Sequence, residues 1–505
     1  MTKMNKLIIF IFCILKLILH LIADFNSGFQ GDELLHIETG NHLAFGYMEF
    51  PPLIGIVAFI QNLFNSNSII VHHLFTHLAG IVILIFVAKT TLEIGGKEKA
   101  VFLVLLGFII APSFGRSQQL FQPVVFSQLF WVLGFYQLVK FIKQLNTKNL
   151  WYLAIFITLG FSTKYDSVFF VFGLSGLFFF KRTRESLLQH KFWHIALLSL
   201  LIVLPNLVWQ YLHDFPAFQM FGRLYETQLN KISRLENLGQ LLLASNPLNL
   251  SLLVPAIMYF FSQKGKEVRL PLAITMLLSF LFLLYSNGKA YYFFSIILTI
   301  LPFGAVYLEQ NILEKKTWLI YPITILLLLG SLLVPFGLPI YPFKKYLSRI
   351  QKYENTKVNG GSQVVRYDEY YAKEKWQNTM KEIKSVYDSL PQNERKNCII
   401  WGKHYAQAGA VNLLGSEYNL PKAFCYHGSF YNWTPNGEMP NTLIALSYQV
   451  GDFFNPYFAK ITLVKSIYNP YADNEEELYQ RIYICKEPKQ NFGKMKELFE
   501  HRIFE

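Results

Sequence analysis

The sequence predicts a multi-spanning α-helical membrane protein that ends in a water-exposed α/β domain, and three observations carry that prediction. Hydrophobic letters make up 52% of the 505 residues and charged ones only 16%, which is too apolar for an ordinary soluble chain of this size. The apolar residues are unevenly spread: 1–339 hold run after run of Leu, Ile, Phe and Val, whereas 340–505 read like a soluble domain. Finally, Lys and Arg recur in every second connection between the apolar runs, the way bases distribute across a bilayer. The chain carries 46 basic and 33 acidic residues, a net +13. That balance excludes disorder and collagen-like classes, and its placement argues for a membrane rather than for nucleic acid.

Within 1–339 the spans expected from apolar length fall near 7–23, 69–88, 100–114, 124–142, 150–163, 167–180, 192–212, 247–262, 270–286, 290–308 and 317–336. Several are shorter than the ~20 residues of a perpendicular span. No small-residue cleavage site follows the first, which is expected to stay as an anchor. Lys3 and Lys6 precede it; Lys89, Lys97 and Lys99, then Lys140, Lys143 and Lys148, then Lys181, Arg182, Arg184 and Lys191, then Lys264, Lys266 and Arg269, then Lys315 and Lys316 follow alternate spans. The connection 24–68 has no Lys or Arg but carries Asp24, Asp32, Glu33, Glu38 and Glu49. That pattern puts the basic connections in the cytoplasm, and the acidic connection and the whole of 340–505 outside it.

In 340–505 the positions Trp376, Met380, Ile383, Val386, Tyr387 and Leu390 recur at helical spacing before Pro391, which predicts an amphipathic helix over 371–390. Strand-like runs follow at 398–402, 422–427, 441–448, 461–467 and 481–486, with a helix over 405–415 between the first two; this is α/β patterning. Cys398, Cys425 and Cys485 allow at most one disulfide there. The stretch His427–Trp433 is rich in aromatics and amides. It reads either as packed core aromatics or as a surface that stacks on sugar rings.

Two sets of charges stand out. Asp32 and Glu33 lie shortly beyond the first span, where carboxylates serve as general base, as metal ligand or as solvated loop acids. His36 shares a helical face with Glu33, a spacing that suits a metal. The second set is basic residues on the unexpected side: Arg116, Lys164 and Lys289 fall at the outer ends of apolar runs. They either hold a phosphate at headgroup level or reach to lipid headgroups.

With these residues in hand, the chain resembles bacterial members of glycosyltransferase family 39, the group related to protein O-mannosyltransferases and lipid A aminoarabinose transferases. The resemblance rests on GDELLH with HLAFGYMEFPPL in the first outer connection, STKYDSVFF at 162–170, LPNLVWQYLHDFPAF at 204–218, Asn246 with Pro247, and GKAYYFF at 288–294. Farther on, WQNTMKEIKSVYDSLP, HYAQAGAVNLLG and HGSFYNWTP resemble the C-terminal part of one bacterial branch.

The resemblance implies a GT-C fold in the bacterial inner membrane. It also implies transfer of a sugar from a polyprenyl-phosphate donor to a lipid, glycan or protein acceptor on the extracytoplasmic face, by single displacement with inversion. Such a reaction needs cations at the departing phosphate and a base at the acceptor. By the resemblance Asp32 is the base, supported by Glu33, and Glu49 is the second acidic position of the same connection. Lys164 with Tyr165, and Lys289 with Tyr291 and Tyr292, are phosphate candidates beside Arg116. A divalent ion, if used, falls to Asp32, Glu49 and His36. One position departs from the family: where an acid is expected within VVFSQLFW at 124–131, this chain has Ser127. Three readings follow: another carboxylate such as Glu49 compensates, the protein works differently, or it is catalytically silent. A transporter or flippase of lipid-linked sugars is the rival from another class.

Overall fold

The computed structural model of the chain describes residues 1–189, 192–262, 265–350, 368–448, 454–469, 471–472, 478–500 and 503–504. Lys191 and Lys264, two of the bases expected in cytoplasmic connections, lie outside the described residues. The chain forms two compact units. One holds 1–23, 50–53 and 73–340; the other holds 24–49, 54–72 and 341–505. The division near residue 340 follows the change in composition, but most of the first acidic connection clusters with the C-terminal unit.

In the helical unit every one of the apolar runs expected to span is helical. Among the described residues seven helices are long and apolar enough to cross a membrane: Lys3–Asn26, Ile69–Glu93, Pro123–Gln144, Phe192–Leu212, Lys266–Tyr285, Ala290–Leu313 and Thr317–Phe336. The pair Arg234–Ala244 and Pro247–Phe261, bent by 90°, makes an eighth if counted as one span. The remaining apolar runs are shorter: Glu98–Ile109 has 12 residues, Thr147–Phe161 has 15, and Ser167–Leu174 gives way to a 3-10 turn. Several spans carry an internal proline, at Pro205, Pro255, Pro271 and Pro302, which apolar helices tolerate when neighbours satisfy the freed backbone.

The connections sort into two sets. Those expected in the cytoplasm are tied to one another: Lys143 Nζ meets Glu93 Oε1 at 2.6 Å, Arg182 meets Glu267 at 2.9 Å, Lys97 meets Glu314 at 3.0 Å, and Thr2 Oγ1 donates to Glu98 at 2.8 Å. The backbone N–H groups of Lys99 and Ala100 also donate to the buried Glu309 carboxylate at 2.9 and 3.1 Å. The other set joins 161–167, 206–247 and 286–292. Tyr165 OH donates to Asn206 at 3.2 Å, Asn237 Nδ2 to the Gly288 carbonyl at 2.6 Å, and Arg234 Nε to Asn287 at 3.2 Å.

The second unit contains a five-stranded sheet in the order β2-β1-β3-β5-β4, with β1 Ile399–Gly402, β2 Ala423–Phe424, β3 Thr442–Ser447, β4 Phe458–Tyr468 and β5 Tyr479–Pro488. β1 pairs parallel with β2 and β3, and β5 runs antiparallel to β3 and β4. Each strand-like run of the sequence carries one of these strands. β3 is central and buried along its whole length, which explains the unbroken apolar TLIAL where a one-sided strand would alternate. β4 forms an edge; its exposed lysines Lys460 and Lys465 pair with Glu487 and Glu382, and edge charges of this kind discourage further pairing. Trp401, Tyr426, Leu443, Tyr483, Phe492 and Met495 lie in one buried cluster against the sheet. Cys398, Cys425 and Cys485 are buried free thiols.

Candidate active site

The acidic connection begins with a helix that its own sequence starts. Gln30 is the N-cap: its side-chain oxygen accepts from Asp32 N at 2.9 Å, while Glu33 Oε2 accepts from Gln30 N at 2.7 Å. This capping box opens the helix Gly31–Glu38 and puts both acids in its first turn, where the helix dipole favours them. Glu33 is buried and occupied with the cap, so its role lies in holding the turn that presents Asp32.

Leu34, Leu35 and Ile37 are buried, and the helix packs on the helix Tyr405–Leu414. That helix is capped in turn by His404, whose Nδ1 accepts from Ala406 N at 3.2 Å while Gln407 accepts from His404 N at 3.1 Å. Burial first, and then Lys375 and Lys403, push the His404 pKa down to about 4. The imidazole is therefore neutral at pH 7, as an Nδ1 acceptor must be. Close approach of the two helices depends on small residues: a Cβ at Gly409 would lie 2.9 Å from Leu34 Cβ, and one at Gly31 would lie 3.1 Å from Ala406 Cβ.

At the start of the second helix Tyr405 OH donates to Asp32 Oδ1 at 2.6 Å. Burial, and after it the Asp32 charge, hold the Tyr405 phenol well above its ordinary pKa of 10, so it remains a donor at any working pH. Among the described residues, Tyr405 alone donates to the Asp32 carboxylate, which leaves Oδ2 able to accept. The Tyr405 ring stacks on His427 at 4.6 Å and 20°, and His404 packs on both rings at 4.0 and 4.4 Å.

Glu49 is held by the other end of the aromatic stretch. Ser429 N donates to its Oε1 at 2.8 Å and Ser429 Oγ donates to its Oε2. Burial pushes the Glu49 carboxyl up to about 7; the Ser429 hydrogen bonds oppose the rise, and the Asp32 charge adds a little to it. Gly428 sits at φ +59, and a Cβ there would collide with the Glu49 carboxylate. The glycine is required both for its backbone conformation and for this approach. Beyond it, Trp433 stacks on His42 at 4.4 Å and 7°, and Glu38 accepts from Asn412 at 3.1 Å. The His427–Trp433 stretch thus packs, and what it packs on is the first acidic connection.

In the helical unit Lys164 Nζ forms an ion pair with Asp166 Oδ2 at 3.1 Å. It also lies over the rings of Tyr291 and Tyr292, 4.6 and 4.0 Å from their centroids, the two rings being stacked on one another at 4.4 Å. Lys289 Nζ donates to Gln228 Oε1 at 2.5 Å. Tyr165 OH accepts from Gln210 at 3.0 Å, so this tyrosine is part of the scaffold around Lys164. Arg116 lies half-buried on the short helix Pro112–Ser117. Ser127 Oγ donates to Asp166 Oδ1 at 2.8 Å.

Of the expected residues, Lys164, Tyr291 and Tyr292 come together in the helical unit, and Asp32 and Glu49 influence one another in the second unit. Among the described residues Asp32, His36 and Glu49 do not bring three ligand atoms within 4.8 Å of one another, and Ser429 occupies both Glu49 oxygens. As arranged, these three do not make a metal centre. Tyr405, Ser429 and Asp166 are the partners that sequence reading missed. The first two lie within the segments HYAQAGAVNLLG and HGSFYNWTP, but nothing in one sequence pairs them with acids more than 370 residues earlier. Asp166 stands two residues after Lys164 in STKYDS, the signal that was there to find.

Residues 50–209 match the profile of the family described as dolichyl-phosphate-mannose-protein mannosyltransferase. No curated protein matches the sequence significantly. Among solved structures, the chain is similar to ArnT from Cupriavidus metallidurans bound to undecaprenyl phosphate. The TM-score is 0.60 at 11% identity, over 94% of this chain and 97% of that one. The chain thus has the GT-C fold of that structure over nearly its whole length, and its residues 50–209 carry the likeness to the mannosyltransferase family.

Proposed function

We propose that this chain is a glycosyltransferase of the bacterial inner membrane. It moves a sugar from a polyprenyl-phosphate donor to an acceptor hydroxyl on a lipid, glycan or protein at the extracytoplasmic face, by single displacement with inversion. The observation that carries the reading is the Asp32 carboxylate, gripped through Oδ1 by Tyr405, with Oδ2 left able to accept among the described residues. Such a group is oriented to take the acceptor proton as the hydroxyl oxygen attacks the anomeric carbon. The bond from that carbon to the phosphate oxygen breaks, and the phosphate departs as a stable anion that needs no proton donor. Negative charge gathers on it, and the cations of the helical unit, Lys164 and Lys289, are suited to receive it. The likeness to a protein solved with undecaprenyl phosphate supports the class of donor.

A mass-spectrometric comparison of envelope glycolipids and glycans tests the reading in cells with the protein, without it, and with Asp32→Asn. The expected result is one glycosylated species that disappears in the second and third cases while the variant accumulates normally. An unchanged profile in cells carrying Asp32→Asn removes Asp32 from the role of base.

A further inference from the structure

We propose that Asp166 acts as a charge discriminator at Lys164, disfavouring a phosphomonoester relative to a phosphodiester, and that Ser127 positions it. The inference rests on the reading of Lys164 as a lipid-phosphate site. The Lys164 to Asp166 pair is mostly buried, with 17% and 14% of the two side chains exposed. The other Asp166 oxygen accepts from Ser127 Oγ at 2.8 Å, and Ser127 is 3% exposed on the helix Pro123–Gln144. Both carboxylate oxygens are therefore engaged, one by a cation and one by a hydroxyl on a different helix. Asp166 is a fixed charge rather than a counter-ion free to swing away. A serine at 127 is suited to this, because its hydroxyl donates to a carboxylate that an acid at the same position would repel. Lys164 is held as well: its ammonium lies over the rings of Tyr291 and Tyr292, and its backbone N donates to Gly160 O at 2.9 Å.

The chemistry of the two lipids then decides the consequence. A polyprenyl-phosphate sugar is a diester with one negative charge, whereas the polyprenyl phosphate left after transfer is a monoester carrying about −1.5 to −2 at pH 7. A fixed carboxylate a few ångströms from the phosphate repels each ligand in proportion to its charge, and more strongly in a partly buried site than in water. It therefore costs the product more than the donor. The lysine still attracts both, so the net effect is retention of donor and easier release of spent lipid.

The test uses the full-length protein in nanodiscs with two probes, undecaprenyl phosphate and its methyl diester, and compares dissociation constants for wild type, Asp166→Asn, Ser127→Ala and Ser127→Thr. Asp166→Asn is expected to tighten monoester binding about tenfold, roughly the effect of 1.4 kcal/mol, and diester binding by about three- to fivefold, in proportion to its smaller charge. Ser127→Ala is expected to shift the ratio in the same direction by less, and Ser127→Thr to restore it. A monoester-to-diester ratio that stays at the wild-type value in both Asp166→Asn and Ser127→Ala overturns the discrimination while leaving Lys164 as a phosphate site. A wild type that binds neither lipid overturns both.

Discussion

Replacing Tyr405 by Phe removes one oxygen and leaves the ring, so the stack on His427 at 4.6 Å and the packing against His404 survive. What is lost is the 2.6 Å hydrogen bond to Asp32. A hydrogen bond to a charged acceptor contributes about 1.5–3 kcal/mol, and each 1.4 kcal/mol of transition-state stabilisation is a factor of about ten in rate. If the bond serves to aim Asp32, kcat/KM for sugar transfer falls about ten- to a hundredfold in Tyr405→Phe. Water can replace the phenol at the half-buried Asp32, so thermal stability changes little. Asp32→Asn removes the base itself and is expected to cost about a hundred- to ten-thousandfold. The double variant carries the argument, because Tyr405 works only through the carboxylate. Adding Tyr405→Phe to Asp32→Asn should therefore lower the residual rate by less than about threefold. The assay is initial-rate transfer in proteoliposomes supplied with polyprenyl-phosphate sugar, with melting temperatures measured on the same preparations. Wild-type kcat/KM in Tyr405→Phe, or losses that simply multiply in the double variant, would refute the proposed link between the two residues.

Glu49→Gln reports on the raised carboxyl. Its folded pKa of about 7 lies above the ordinary 4.5, so the folded state holds the proton more tightly than the unfolded chain does. That stabilisation is full below about pH 4.5, is lost as pH rises to about 7, and is flat above; its size is on the order of 3 kcal/mol. Thermal unfolding followed from pH 4.5 to 7.5 should show this slope in wild type and lose it in Glu49→Gln; equal slopes would contradict the assignment. Lys289→Ala, which removes an ammonium held by Gln228, is expected to raise the donor KM severalfold while acceptor KM stays near wild type. An unchanged donor KM would take Lys289 out of donor binding.

Much of the architecture was legible because burial leaves a simple trace. β3 reads as an apolar run because both of its faces are covered, and the helix over 371–390 shows its one buried face through Trp376, Met380 and Ile383. Span counting was less secure for a physical reason. Apolar length says what lipid tolerates but not where a helix breaks, and Ser167–Leu174 passing into a 3-10 turn looks the same on paper as a continuous span. Asp32 stood out because an acid pair beside a span is conspicuous. Its setting did not, because Tyr405, Ser429 and the Gly409 notch that admits Leu34 come from a segment whose pairing with the first connection no local pattern encodes. Ser127 illustrates the limit best: as a letter it reads as a missing acid, and only its hydrogen bond to Asp166 shows which carboxylate it serves.

The most direct test follows both products of the reaction in liposomes holding purified protein, a polyprenyl-phosphate sugar labelled at the anomeric carbon, and an envelope extract as acceptor. Released polyprenyl phosphate is read by mass spectrometry and the configuration of the new linkage by NMR. One lipid phosphate freed for each sugar transferred, an inverted anomeric centre, and loss of both signals in Asp32→Asn are the predicted result. Retained configuration, or turnover in Asp32→Asn equal to wild type, would contradict single displacement with Asp32 as the base.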